Sequence, residues 1–393
     1  MAGPRTIDDA ERRARLGRRH ALAAPVPTTE AATEAVVALH ASDPTSVHLS
    51  ARARTGADVT DAERALYDER TVVRMHGIRR TLWVVPAALE PAMRVAGAHP
   101  LVAPARTKLR AAMAERGDVA DPAAWLDEVA EAVVAAVGEV GEASAVQIGR
   151  AVPALGTKVL YGGGRWAAEV TVASRLLVIL GFEGRLVRTR PLGTWVSGQY
   201  RYAPGPAPAG GPEPDPATAR AAVVGAYVAR FGPVTEADVR WWTGWTAARV
   251  RAALVEAGAV EVVVDGGAAW VAADDRAPVA APDPWVALLP GLDPTTMGWR
   301  GRDWYLDDLG PVLFDRNGNA GPTVWADGRV VGGWAQRPDG EVVTDVRVDV
   351  GATARAAVDA EAARLATWFA GVVATPRFRT PLERAIVDGT ELP

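Results

Sequence analysis

The sequence predicts an α+β protein: three tandem winged-helix modules, each a helix-turn-helix carrying a β-hairpin, followed by a C-terminal antiparallel β-domain. Two observations predict it. The order helix, helix, helix, hairpin recurs three times over residues 1–280, and beyond Pro282 the texture changes to short apolar runs divided by Gly, Asp, Pro and Asn. The segments are 1–115, 116–205, 206–280 and 281–393, the first carrying the candidate chemistry.

In the first module, Ala31 to Leu39 reads as an apolar helical run, and the Asp43-Pro44 pair opens a second helix reaching about Arg54. Proline restricts the residue before it and suits the first helical turn, so Asp43 is an expected N-cap. Thr60-Asp61 caps a third helix, Ala62 to Glu69. Strands 71–75 and 79–85 then flank a turn at His76-Gly77. In the second module Asp121-Pro122 opens a helix through Val137, Glu142 to Val152 reads as the next and Trp166 to Leu180 as the third, before strand-like runs at 184–188 and 193–202. A Pro/Gly-rich linker spans 203–216. The third module repeats the order: a helix from Ala217 to Phe231, a turn at Gly232-Pro233, a capping-box start at Thr235 to Asp238, a helix capped by Thr246, and strands 261–264 and 269–272. Asp327-Gly328 is a hairpin turn inside the β-domain, which the helix Thr353 to Val373 closes.

Composition bounds the function. No run approaches the roughly 20 apolar residues of a membrane helix, and residues 1–20 have no apolar signal core, which places the protein in the cytoplasm without a membrane partner. The chain has no cysteine, which removes disulfides and thiolate chemistry. A net charge of -4 hides an excess of five positive charges over residues 1–110 and of five negative charges over 281–350. Nearly all positive charge is arginine, since Lys108 and Lys158 are the only lysines. Arg12, Arg13, Arg15, Arg18 and Arg19 form a candidate phosphate-contacting arm.

The chemistry is expected at residues 39–54, where His40, Ser42, Asp43 and His48 follow the apolar run, with His40 and Ser42 on the last turn and exit of that helix. Metal-pair spacings such as HExxH are missing, so no metal and no cofactor is expected. DNA contacts are expected from Arg52, Arg54, Arg74, Arg79, Arg80, Arg188 and Arg190, and Trp83, Trp195, Trp241 and Trp242 are candidates for base stacking.

These stretches resemble the winged-helix DNA glycosylases of the AlkZ and YcaQ type. The likeness runs through the LHASDP block (39–44) with Arg52 and Arg54, the hairpin RxxxxRRTLWVV (74–85), YVARFGPVTEADVRWWTGW (227–245), LLPGLDPTTMGWRGRDWYL (288–306) and DGRVVGGW (327–334). It implies the three-module architecture with a β-domain, and a monomeric enzyme that removes alkylated bases, N7- or N3-adducted purines, from double-stranded DNA in repair or in self-resistance to an antibiotic. The family's Gln-x-Gln signature falls at His40-Ala41-Ser42, and with only Gln147, Gln199 and Gln336 present the motif occurs nowhere in this chain. Two function classes follow: a monofunctional glycosylase using His40, Ser42 and Asp43, and a non-catalytic protein that binds or senses damaged DNA.

Overall fold

The computed structural model describes residues 4–164, 167–205 and 213–392. Helices alternate with antiparallel sheets along the chain. It divides into two compact units, the first made of Met1–Val73, Trp83–Leu89 and Arg220–Pro393, the second of Arg74–Leu82 and Glu90–Ala219.

The first unit begins with helix α1, Asp9–Arg19, capped by Asp8, with Asp9 and Glu11 in its first turn and Arg18 and Arg19 in its last. That order complements the helix dipole. Its arginines do not form a free arm. Arg15 is buried between Glu11 and Asp275, Arg19 bonds Gly232 O and Asp275, Arg18 donates to Ala280 O and Arg13 to Trp304 O. Arg12 lies 4.2 Å over the Trp304 ring. Before α1, Ile7 N donates to Val263 O, so the N-terminal segment adds to a strand that the sequence pattern assigns only to a two-stranded hairpin.

Residues 216–271 follow the expected order closely. Helix Pro216–Phe231 leads to Glu236–Thr243, whose Thr235–Asp238 capping box makes both reciprocal bonds, then to Ala247–Glu256 capped by Thr246 and the paired strands Val260–Val264 and Gly267–Val271. Asp238 does more than cap: its other oxygen accepts from Arg300 N and Gly301 N, tying this helix to the following segment.

The acidic segment builds a four-stranded antiparallel sheet from Val286–Leu289, Thr323–Ala326, Arg329–Gln336 and Val342–Val346, with Asp327-Gly328 at the expected turn. Gly332 is required there, because a Cβ at that position would sit 1.9 Å from Asp345 O on the next strand. Helices Gly351–Phe369 and Pro381–Asp388 pack against this sheet.

In the second unit, helices His99–Ala114, Pro122–Val140 and Ala173–Phe182 bury Leu109, Met113, Val129, Val133, Leu176 and Leu180 in one core. Two sequence expectations change here. The second helix of the module starts at Ala145 rather than Glu142, because Ala143–Ser144 pair with Tyr202 and Arg201 of strand Tyr200–Pro204, and Ser144 then caps the helix. The third helix starts at Ala173. Residues Ala168–Thr171 instead pair with Lys158–Tyr161 in a hairpin, where β-branched residues on either side of a glycine-rich turn favour strand over helix. Trp166, the expected start of that helix, and residues 206–212 of the expected linker lie outside the described residues.

His76 is buried in this unit, edge-on to Phe182 with ring centroids 4.9 Å apart. Burial, and secondarily the positive charge of Arg188, lowers its pKa to about 3. The unfolded chain therefore takes up a proton, near its ordinary pKa of about 6.5, that the folded chain refuses. Stability from this group is complete above that value and falls as the pH drops toward 3. Denaturant midpoints measured between pH 7 and pH 4 should fall more steeply for wild type than for His76→Asn. Equal slopes would mean that the folded protein accepts the proton.

Candidate active site around His40

Helix α2, Thr29–Ala35, is capped by Thr28 and ends earlier than its apolar pattern suggests. Val36 closes the last turn on Thr33 O, and Val37 takes a left-handed conformation with φ of 67°. For a β-branched residue this conformation is strained, by on the order of 1–3 kcal/mol. It is held because the next residues find better partners: Leu39–His40 form strand β1, paired with Val84 and Trp83 of the hairpin strand Leu82–Pro86. His40 thus lies on a strand edge, not on the last turn of a helix continuing to Leu39. Its ring is half-buried and tilted against Trp83 at a centroid distance of 4.8 Å.

After β1 the chain turns through Ser42 into helix α3, Pro44–Thr55. Ser42 N donates to His40 Nδ1 over a long 3.4 Å, and Ser42 is half-buried. Asp43 is the N-cap, as its position before proline predicts, and is buried. One of its oxygens accepts from Thr45 N and the Thr45 hydroxyl at 2.9 and 2.7 Å, and the other accepts from Arg377 N at 2.7 Å. Both oxygens are held by the protein, so Asp43 organises the turn and does not face a reacting group. The Arg377 side chain, exposed, donates to Ser42 O at 3.3 Å and brings a cation beside the pair His40 and Ser42. Nothing in the local sequence around residue 377 points to this.

Below the turn, α3 is anchored by a buried polar network. Arg54 and Asp293 are both 0% exposed and form a two-pronged ion pair at 2.8 and 2.9 Å. Arg54 also donates to Ser50 O and the Thr295 hydroxyl, Ser50 donates to Asp293, and Ser46 to Gly291 O. His20 joins through Nδ1, 2.8 Å from Thr295 Oγ1. Burial first, then the charges of Arg54 and Arg19, hold His20 well below its ordinary pKa, so it stays neutral.

The arginines expected on DNA separate into two groups. Arg54 is enclosed with Asp293, and Arg52 is buried against Glu361, so neither guanidinium is open to a phosphate. Arg74 is buried with its guanidinium 4.4 Å from the Tyr200 ring centroid, and is likewise removed from the expected contacts. Arg79 and Arg80 are exposed at the hairpin tip, both in left-handed backbone, while Arg188 and Arg190 are half-buried. Among the candidate stacking residues, Trp83, Trp195 and Trp242 are buried. Trp242 lies 6.1 Å from Trp83 and stacks on Tyr227 at 4.4 Å, so both serve the core.

The family described as DNA glycosylase AlkZ-like matches residues 33–368. The chain belongs to this AlkZ-like family of DNA glycosylases. Among solved structures, the Streptomyces sahachiroi DNA glycosylase AlkZ is similar in fold, with a TM-score of 0.70 at 21% identity over 93% of this chain and 97% of that one. No curated protein matches the chain. The AlkZ-like match includes the His40 turn, α3 and Asp293, and ends before Arg377. No helix among the described residues is long and apolar enough to cross a membrane.

Proposed function

We propose that this AlkZ-like protein excises N7- or N3-alkylated purines from double-stranded DNA by hydrolysis, with His40 and Ser42 acting on the water. The observation that carries this reading is the turn itself: a half-buried His40 on a strand edge and a half-buried Ser42 in the turn that follows, braced by a strained Val37, a capped helix and the Arg54–Asp293 pair. Strain and rigid support of this kind concentrate at functional sites.

The substrate makes modest demands. An N7-alkylated guanine is already cationic, so when water attacks the anomeric carbon the electrons of the breaking glycosidic bond neutralise the departing base. The enzyme has to orient the water, accept its proton and tolerate an oxocarbenium-like centre. The contact from Ser42 N to His40 Nδ1 is long and therefore weak, so a water proton can compete for that lone pair, and the Ser42 hydroxyl positions the oxygen. Asp43 is a positioning residue that fixes both through the turn. Arg79 and Arg80, with Arg188 and Arg190, are assigned to phosphates, and the three repeats of helices and hairpin to winged-helix modules that carry the duplex.

Water as nucleophile leaves an intact abasic strand. Incubation with a duplex containing N7-methylguanine should release the free base, with strand breaks appearing only after heat or alkali. A borohydride-trapped protein–DNA adduct that depends on Lys108 or Lys158 would instead establish an amine nucleophile. Lesion binding without any base release would place the chain among non-catalytic damage binders, the second class that the sequence allows.

A further inference from the structure

We propose that the second unit carries a separate pocket for the phosphate ester of a nucleotide, formed by Arg80, Lys108 and Arg175 around Tyr161. These side chains line a cavity of about 370 Å³ whose wall includes Ile179 and Phe182. Lys108 Nζ and the Arg175 guanidinium carbon each lie 4.4 Å from the Tyr161 ring centroid.

The charge of the lining favours an anion. No carboxylate lines the cavity, and among the described residues none of the three cations is in an ion pair. Other cations of the same unit are neutralised locally, Arg106 by Glu183 and Asp127, Arg185 by Glu131 and Lys158 by Glu169. Three cations around one cavity repel one another, and the face of a single tyrosine offsets this only in part. A bound anion removes the conflict.

Arg175 also carries an unsatisfied donor. Its Nε is buried without a hydrogen-bond partner, so the protein leaves this guanidinium incompletely satisfied. Size and lining narrow the class. A volume of this order is that of a small-ligand site and exceeds what a lone inorganic anion fills, and the apolar wall suits a sugar or base attached to the phosphate. The hairpin position of Arg80 predicts a DNA contact, whereas nothing in the sequence joins it to Lys108 and Arg175.

The phosphate ester can come from a DNA strand or from a free nucleotide, and the pocket does not depend on the glycosylase reading. The test compares wild type with Lys108→Ala/Arg175→Ala and the charge-keeping Lys108→Arg/Arg175→Lys, after thermal melts show which variants are folded. Affinity for an unmodified duplex is measured over a salt series, and dGMP, deoxyguanosine and inorganic phosphate are titrated separately.

If a strand occupies the pocket, the slope of log affinity against log salt falls by about 0.9 for each phosphate that the alanine variant no longer neutralises, and the charge-keeping variant restores it. A free nucleotide would instead show as dGMP binding to wild type more tightly than deoxyguanosine or phosphate, weakened at least tenfold in the alanine variant with the duplex slope unchanged. If the duplex slope is unchanged and dGMP does not bind, the pocket is not a phosphate site. If the alanine variant unfolds, Lys108→Gln and Arg175→Gln as single variants take its place, and a duplex slope equal to wild type in both, with no dGMP binding to wild type, overturns the proposal. Base release from alkylated DNA is scored independently, so loss of this proposal leaves the glycosylase reading standing.

Discussion

Arg54→Ala is expected to destabilise the first unit by about 3–5 kcal/mol, the usual penalty for leaving one member of a buried ion pair without its partner. Asp293 is buried and would lose both prongs of its guanidinium contact. For a protein whose total stability is on the order of 5–15 kcal/mol, that is a large share. Denaturant melts should show the loss directly, and base release should decline at temperatures where the variant unfolds. The pair itself is not irreplaceable. Arg54→Met combined with Asp293→Leu removes both charges and should recover much of the stability, since well-packed apolar substitutes for buried ion pairs are often neutral or better. A single-variant loss below about 1 kcal/mol would show that the network contributes little to holding α3.

His40→Ala should lower the rate of base release by about 10²- to 10⁴-fold, the range over which a positioned general base acts, with duplex affinity nearly unchanged. His40 makes its contacts at the surface of the strand edge and against Trp83, so the substitution removes the imidazole without opening the core. His40→Gln is the informative companion, because it restores the residue that the family resemblance implies at this position. It should retain more activity than alanine. Single-turnover rates on an N7-methylguanine duplex separate these effects from binding, and equal rates for wild type and His40→Ala would move the chemistry away from this turn.

Several features of the chain are legible in its sequence because local chemistry alone produces them. Asp43 before Pro44 is an N-cap because the proline restricts the backbone and the carboxylate meets free amides two residues on. Thr235 and Asp238 form a capping box for the same reason, and Asp327-Gly328 turns a hairpin because its backbone conformations favour Asp and Gly. The order of helices and strands from 216 to 271 follows from such signals, as does the antiparallel sheet after Pro282. Family membership follows from blocks of residues whose order along the chain is itself the signal.

Tertiary contacts decided the rest. The stretch from Ala31 to Leu39 has a helical pattern, yet Val36 and Val37 leave the helix because His40 and Leu39 gain backbone partners in a strand more than forty residues away. The fate of each arginine is equally hidden in the sequence. Arg54 and Arg79 are the same residue type in the same basic quarter of the chain, but one faces Asp293, distant by 239 positions, and the other stands at an exposed turn. Composition reports how many positive charges exist; whether an arginine is enclosed with a carboxylate or carried at the surface depends on which residues the fold brings beside it. For the same reason the sequence points to His40, Ser42 and Asp43 together, while only the folded chain shows that Asp43 is committed to Thr45 and Arg377.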